Sequence, residues 1–121
     1  MAQFRYLVSD VDEAVGFYRD KLGLQLVEQY GPAMAILRTG DLDLWVAGPM
    51  ASASKPMPDG TKPSPGGWNR CVLTVTNLVE KVATLQGENV HFRNEIVEGP
   101  GGKQILCEDP SGNVIELFEP S

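Results

Sequence analysis

The sequence predicts an α+β fold made of two copies of a strand–helix–strand–strand–strand module. Three observations predict it. An alternating strand pattern followed by a capped amphipathic helix occurs at residues 3–22 and again at 70–87. Three further alternating or apolar stretches follow each helix. Between the two copies the composition changes, and proline and glycine take over. An internal repeat of this size is the most informative architectural signal in the chain.

The first copy opens with Gln3 to Val8. Phe4, Tyr6 and Val8 form an apolar face, and Gln3, Arg5 and Leu7 form the other, which is a strand pattern. Ser9 or Asp10 reads as a helix cap, and Glu13 stands three residues after Asp10 in a capping-box arrangement. Val11, Ala14, Val15, Tyr18 and Leu22 follow at helical spacing, so the helix buries one stripe, and Gly23 ends it. Strands are predicted at about 24–30, about 33–38 and about 42–47, with Pro32 and Thr39-Gly40-Asp41 marking the turns. In the last of these Asp43 and Trp45 share a face opposite Leu42, Leu44 and Val46.

Residues 48–68 carry five prolines and four glycines and read as a long connector that links modules or covers a site. Met50 and Met57 lie within it. The second copy starts at Arg70, with Thr76-Asn77 as the cap, Leu78, Val82 and Leu85 as the stripe and Gly87 as the end of the helix. Strands are predicted at about 90–98, about 103–108 and 113–119. Gly99-Pro-Gly-Gly102 reads as a hairpin turn, since it lacks the spacing and the following helix of a phosphate loop. The expected organisation is a single domain over 1–121, with module one at 1–47, the linker at 48–68 and module two at 69–121.

The chain has 121 residues, enough for one compact domain, and at 42% hydrophobic and 21% charged its composition is that of an ordinary globular protein. A formal net charge of -6 argues against nucleic acid as a partner and mildly favours cationic ligands. No apolar run approaches a membrane span, and no secretion signal opens the sequence. With Cys71 and Cys107 spaced unlike metal ligands, a cytoplasmic protein with free thiols is expected.

Asp109-Pro110-Ser111-Gly112 is a tight turn feeding directly into the strand Asn113-Val-Ile-Glu-Leu-Phe118. Glu116 lies on the face of Val114 and Phe118, opposite Ile115 and Leu117. A lone buried carboxylate is costly, so Glu116 is expected in a cavity, at an interface or beside a partner.

Val8-Ser-Asp-Val-Asp-Glu-Ala-Val15, Phe17-Tyr18 and Lys21-Leu-Gly-Leu24 resemble the opening of vicinal oxygen chelate proteins, and Asp109 to Leu117 resembles their closing motif. This superfamily includes glyoxalase I, bleomycin-resistance proteins and extradiol dioxygenases. The resemblance covers nearly the whole chain. It implies two βαβββ modules whose eight strands form an open cup with helices outside and the ligand within, and a homodimer. It also implies metal ligands on the first and fourth strand of each module, which here are Gln3, Asp43, Arg70 and Glu116. Gln3, Asp43 and Glu116 could hold Mg²⁺, Mn²⁺, Ni²⁺ or Zn²⁺. Arg70 stands where family enzymes usually have histidine, and a guanidinium has no lone pair to give. Arg70 is therefore expected to replace the metal, bridging Asp43 and Glu116 as the floor of a pocket without a metal.

Trp45 and Phe118 are expected to line that pocket, so the predicted ligand-binding residues are Arg70, Asp43, Trp45, Phe118 and Gln3. Together with the acids, these rings suit a flat or cationic organic ligand. The expected function is small-molecule binding similar to that of the drug-sequestering antibiotic-resistance members. The alternative is a metal-dependent glyoxalase-like lyase, isomerase or epimerase with Glu116 as catalytic base. His91, the one histidine, is not at a ligand position and reads as a surface or half-buried residue, which speaks against ring-cleaving iron chemistry. Cys71 reads as core.

Overall fold

The structure, a computed structural model, describes residues 2–121. Its backbone divides into two compact units. One comprises the residues up to Gly66 together with Pro110–Asn113, and the other comprises Gly67–Asp109 with Val114–Ser121. Each unit is a βαβββ module with a four-stranded mixed sheet.

The first unit holds β1 (Gln3–Leu7), α1 (Val11–Gly16), β2 (Gln25–Tyr30), β3 (Met34–Thr39) and β4 (Leu42–Ala47), with strand order β1-β4-β3-β2. β1 runs parallel to β4, and the hairpins are antiparallel. Asp10 caps α1 as predicted, accepting from the Glu13 amide at 3.0 Å, an interaction worth about 1 kcal/mol. The predicted single helix to Gly23 needs a correction. The α-helix stops at Gly16 and the chain continues as a π-helical turn over Phe17–Lys21, closed by the Leu22 amide on the Phe17 carbonyl. The wider turn shifts the later residues around the axis. Phe17 and Tyr18 are thus both buried, while Leu22, expected on the stripe, is only half-buried. The core lies between this helix and one sheet face, where Val11, Ala14, Val15 and Tyr18 meet Ala35, Leu37, Leu44 and Val46. Each such large aliphatic residue contributes about 1.5–3 kcal/mol through burial.

The second unit holds β5 (Arg70–Thr74), α2 (Leu78–Gly87), β6 (Val97–Gly99), β7 (Gly102–Glu108) and β8 (Val114–Pro120), in the order β5-β8-β7-β6. Leu78, Val82 and Leu85 of α2 are buried, as are Ile105, Cys107, Ile115 and Leu117 of the sheet. Two expectations fail here. The strand predicted at 90–98 shrinks to β6. Residues 91–94 follow the edge of β7 through one isolated bridge, Phe92 to Cys107, and the Asn94 side chain takes the Leu106 amide in place of a backbone carbonyl. Asn77 does not cap α2. It adopts a left-handed backbone with φ 51° and makes no side-chain cap bond. Glu119 of β8 supplies the cap instead, its carboxylate accepting from the Leu78 amide at 2.9 Å. A carboxylate at a helix start also meets the positive end of the helix dipole.

The Gly99–Gly102 hairpin forms as predicted. Gly102 has φ 146°, and a Cβ there would run into the Glu119 carbonyl, so no larger residue fits. In the connector only Ser52–Ser54 forms a helical turn, of 3₁₀ type.

Candidate functional site

In the second unit the face opposite α2 gathers Arg70 and Val72 from β5, Glu116 and Phe118 from β8, and Gln104 and Leu106 from β7. Cross-strand register puts Glu116 between Val72 and Leu106, and Gln104 beside Phe118. Glu116 is 9% exposed. Its carboxylate has two partners. Arg70 Nε lies 3.3 Å from Oε1, and Gln104 Nε2 donates to Oε2 at 2.9 Å and Oε1 at 3.1 Å. The amide of Gln104 is assigned with nitrogen toward the acid, since oxygen there would face only acceptors. A buried carboxylate is thereby neutralised and hydrogen-bonded, as burial requires. Around it the wall is apolar: Val72 is exposed, and Leu106 and Phe118 are half-buried.

At one end of this face Trp68 stands exposed with the Arg93 guanidinium 4.5 Å from its ring centroid. Arg93 is held in turn by Glu108 at 2.6 Å and by the Gly67 carbonyl at 2.9 Å. The indole is thus supported by a fixed cation on one of its faces.

In the first unit the corresponding face carries Gln3 and Arg5 of β1, Asp43 and Trp45 of β4, and Arg38 of β3. Gln3 stands beside Asp43 across the parallel pair, and Arg5 beside Trp45. Arg5 lies 4.9 Å from the Trp45 ring centroid. Asp43 does not wait for a distant partner: Arg38 grips both its oxygens, at 2.7 and 3.1 Å. That fork holds the Asp43 carboxyl below the usual carboxylate range. Within the first unit Asp43 pairs with Arg38, and within the second unit Glu116 pairs with Arg70. Gln3, Arg38 and Asp43 line a cavity of about 460 Å³ with Ala2, Gly40 and Asp41.

The predicted residues thus fall into two groups: Gln3, Asp43 and Trp45 on one sheet, and Arg70, Glu116 and Phe118 on the other. Arg38 and Gln104 were missed. The cross-strand position of Arg38 against Asp43 could have been read from the β3–β4 hairpin, because opposite charges directly across a pair attract. Gln104 carries no comparable signal, since only the exact β7–β8 register brings it to Glu116.

The donor set does not fit a family metal. Both candidate carboxylates already accept from guanidinium groups, and the fourth position is itself a cation. Among the described residues no three His, Cys, Asp or Glu side chains gather where they could hold a metal ion. His91 is exposed, and Cys71 is buried with its thiol pushed up by burial, which makes that thiol a poor nucleophile. Among the described residues no helix is long and apolar enough to cross a membrane.

The family model described as Glyoxalase/Bleomycin resistance protein/Dioxygenase superfamily matches residues 1–117. The chain belongs to this superfamily. Among solved structures it is similar to TnmS3, an antibiotic binding protein from Streptomyces sp. CB03234, at 27% identity and TM-score 0.75, covering 98% of this chain and 93% of that one. A superfamily member from Sphaerobacter thermophilus matches at 25% identity and TM-score 0.78, covering 98% and 95%. Lactoylglutathione lyase from Agrobacterium tumefaciens shares the fold at 20% identity and TM-score 0.72, covering 98% and 92%. No curated protein sequence matches the chain.

Proposed function

We propose that this superfamily member binds a small organic molecule without a catalytic metal, as a cytoplasmic homodimer. Arg70 carries the reading. The resemblance puts Arg70 at a position where the family's enzymes hold a metal ligand, and its guanidinium lies 3.3 Å from Glu116. A carboxylate that accepts from both Arg70 and Gln104 is poorly placed to coordinate a cation or to abstract a proton. In the second unit Phe118, Val72 and Leu106 around that pair, and in the first unit Trp45 on the face of Asp43 and Gln3, each offer the mixed apolar and polar surface that small molecules use. The likeness to an antibiotic binding protein supports sequestration of an organic compound over its conversion.

The test is calorimetric titration of Mn²⁺, Ni²⁺, Zn²⁺ and Mg²⁺ into chelator-stripped protein and into an Arg70→His variant. Tight binding by the variant alone is the expected result. Stoichiometric binding by the native chain, together with metal-dependent turnover of a glyoxalase-type substrate, would overturn the reading in favour of a lyase, isomerase or epimerase.

A further inference from the structure

The first unit contains a second cavity, on the same sheet face but toward the far ends of β1 and β4. Its volume is about 370 Å³, within the range of about 300–1,000 Å³ typical of small-molecule sites. Arg5, Tyr30, Met34 and Ala47 of the sheet line it, and Met50 and Ala53 of the connector form its rim. All of these belong to the first unit.

Its chemistry differs from the Arg38–Asp43 end. The walls are mostly methyl, thioether and ring surface, with Tyr30 exposed and Met50 72% exposed. An exposed tyrosine and an exposed methionine leave apolar area that a ligand can cover, and methionine adapts to irregular shapes. Arg5 is the one charged residue of the lining. Arg5 lies over the Trp45 ring, and no carboxylate pairs with it among the described residues. The nearest acid along its strand pair, Asp43, is already taken by Arg38. Glu28 lies on the same cross-strand row only at the opposite edge strand, about 14 Å away by strand spacing.

We infer that this cavity takes a flat, apolar organic anion, its ring system lying against Met34, Met50 and Tyr30 and its carboxylate, sulfonate or phenolate meeting Arg5. The inference rests on the binding function proposed above and narrows its ligand class. It reverses the preference for cations that the net charge of -6 suggests, because the local charge of a site and not the total decides which ion it holds. The Trp45 ring lies 4.9 Å from the guanidinium carbon, a contact that leaves the N–H donors of Arg5 for a planar anion.

The probes are 8-anilinonaphthalene-1-sulfonate and its uncharged relative N-phenyl-1-naphthylamine, titrated by fluorescence into native protein of verified fold. The native chain is expected to prefer the sulfonate by at least about tenfold, as a charge-assisted contact implies. Arg5→Met should remove that preference, Arg5→Lys should retain part of it, and Ala53→Phe should weaken both probes by filling the cavity. Equal binding of the two probes by native protein, or no binding of either, overturns the inference. So does a preference that survives Arg5→Met and disappears in Arg70→Met, which would move the anion to the second unit. None of these results bears on the absence of a catalytic metal, which the metal titration decides separately.

Discussion

Replacing Arg70 by Met removes the guanidinium and keeps most of the packing volume. Glu116 then retains the Gln104 amide but loses its counter-charge. Breaking a fully buried ion pair costs about 3–5 kcal/mol, whereas an exposed pair contributes about 0.2–1 kcal/mol. The pair here lies between these limits, with side-chain exposures of 36% for Arg70 and 11% for Glu116 and a separation of 3.3 Å. Solvent at Arg70 and the remaining amide bond lower the cost to about 1–2 kcal/mol. For a chain of 121 residues the unfolding entropy is about 0.25 kcal/mol/K, so the melting temperature should fall by about 4–8 °C. Thermal and urea unfolding measure this, and the double variant Arg70→Met with Glu116→Gln should recover part of the loss because the acid no longer needs a counter-charge. An Arg70→Met protein as stable as the native one, with no recovery in the double variant, would refute the claim that Arg70 neutralises Glu116.

Asn113→Ala should lower the unfolding free energy by about 2–4 kcal/mol in urea titrations, because two backbone groups lose their partner. These are the Leu7 carbonyl, which accepts from Asn113 at 2.7 Å, and the Gly66 amide, which donates to it at 2.9 Å. The Cys107 thiol is pushed up to about 12 from 9.0, first by burial and then by the charge of Asp109. Its contribution is therefore whole below pH 9 and is lost as pH rises toward 12, by about 4 kcal/mol at the limit. Urea unfolding across that range should decline more steeply for native protein than for Cys107→Ala.

Much of the fold was legible because it rests on short-range pattern. The alternation at 3–8 and 70–75, the Asp10 cap and the Asp109–Gly112 turn each follow from residues within a few positions of one another. Gly112 adopts φ 85°, as such a turn demands. What failed depended on partners remote in sequence. Asn77 is the predicted cap, yet Glu119, 41 residues beyond Leu78, does that work. The strand predicted at about 90–98 shortens because the Asn94 side chain competes for the bond a strand would make. At the candidate site, strand parity put Glu116, Asp43 and Arg70 on the mixed faces. The partners of the acids depend on register, which parity does not fix: the short β3–β4 hairpin brings Arg38 to Asp43, whereas Gln104 reaches Glu116 only through the β7–β8 register.

The placement of Pro110–Asn113 within the first unit has a consequence for how the protein is made. Asn113 reaches back 106 residues to Leu7, and Ser111 reaches back 102 residues to Ser9. The first module emerges from the ribosome without the side chains that fasten its edge. At about 5–20 residues per second the 47 residues between Gly66 and Asn113 take about 2–9 s to arrive. During that interval the Leu7 carbonyl and the Gly66 amide must rely on water. A gene cut at the linker would leave the first half in that unfinished condition permanently, although the repeat in the sequence suggests two interchangeable halves.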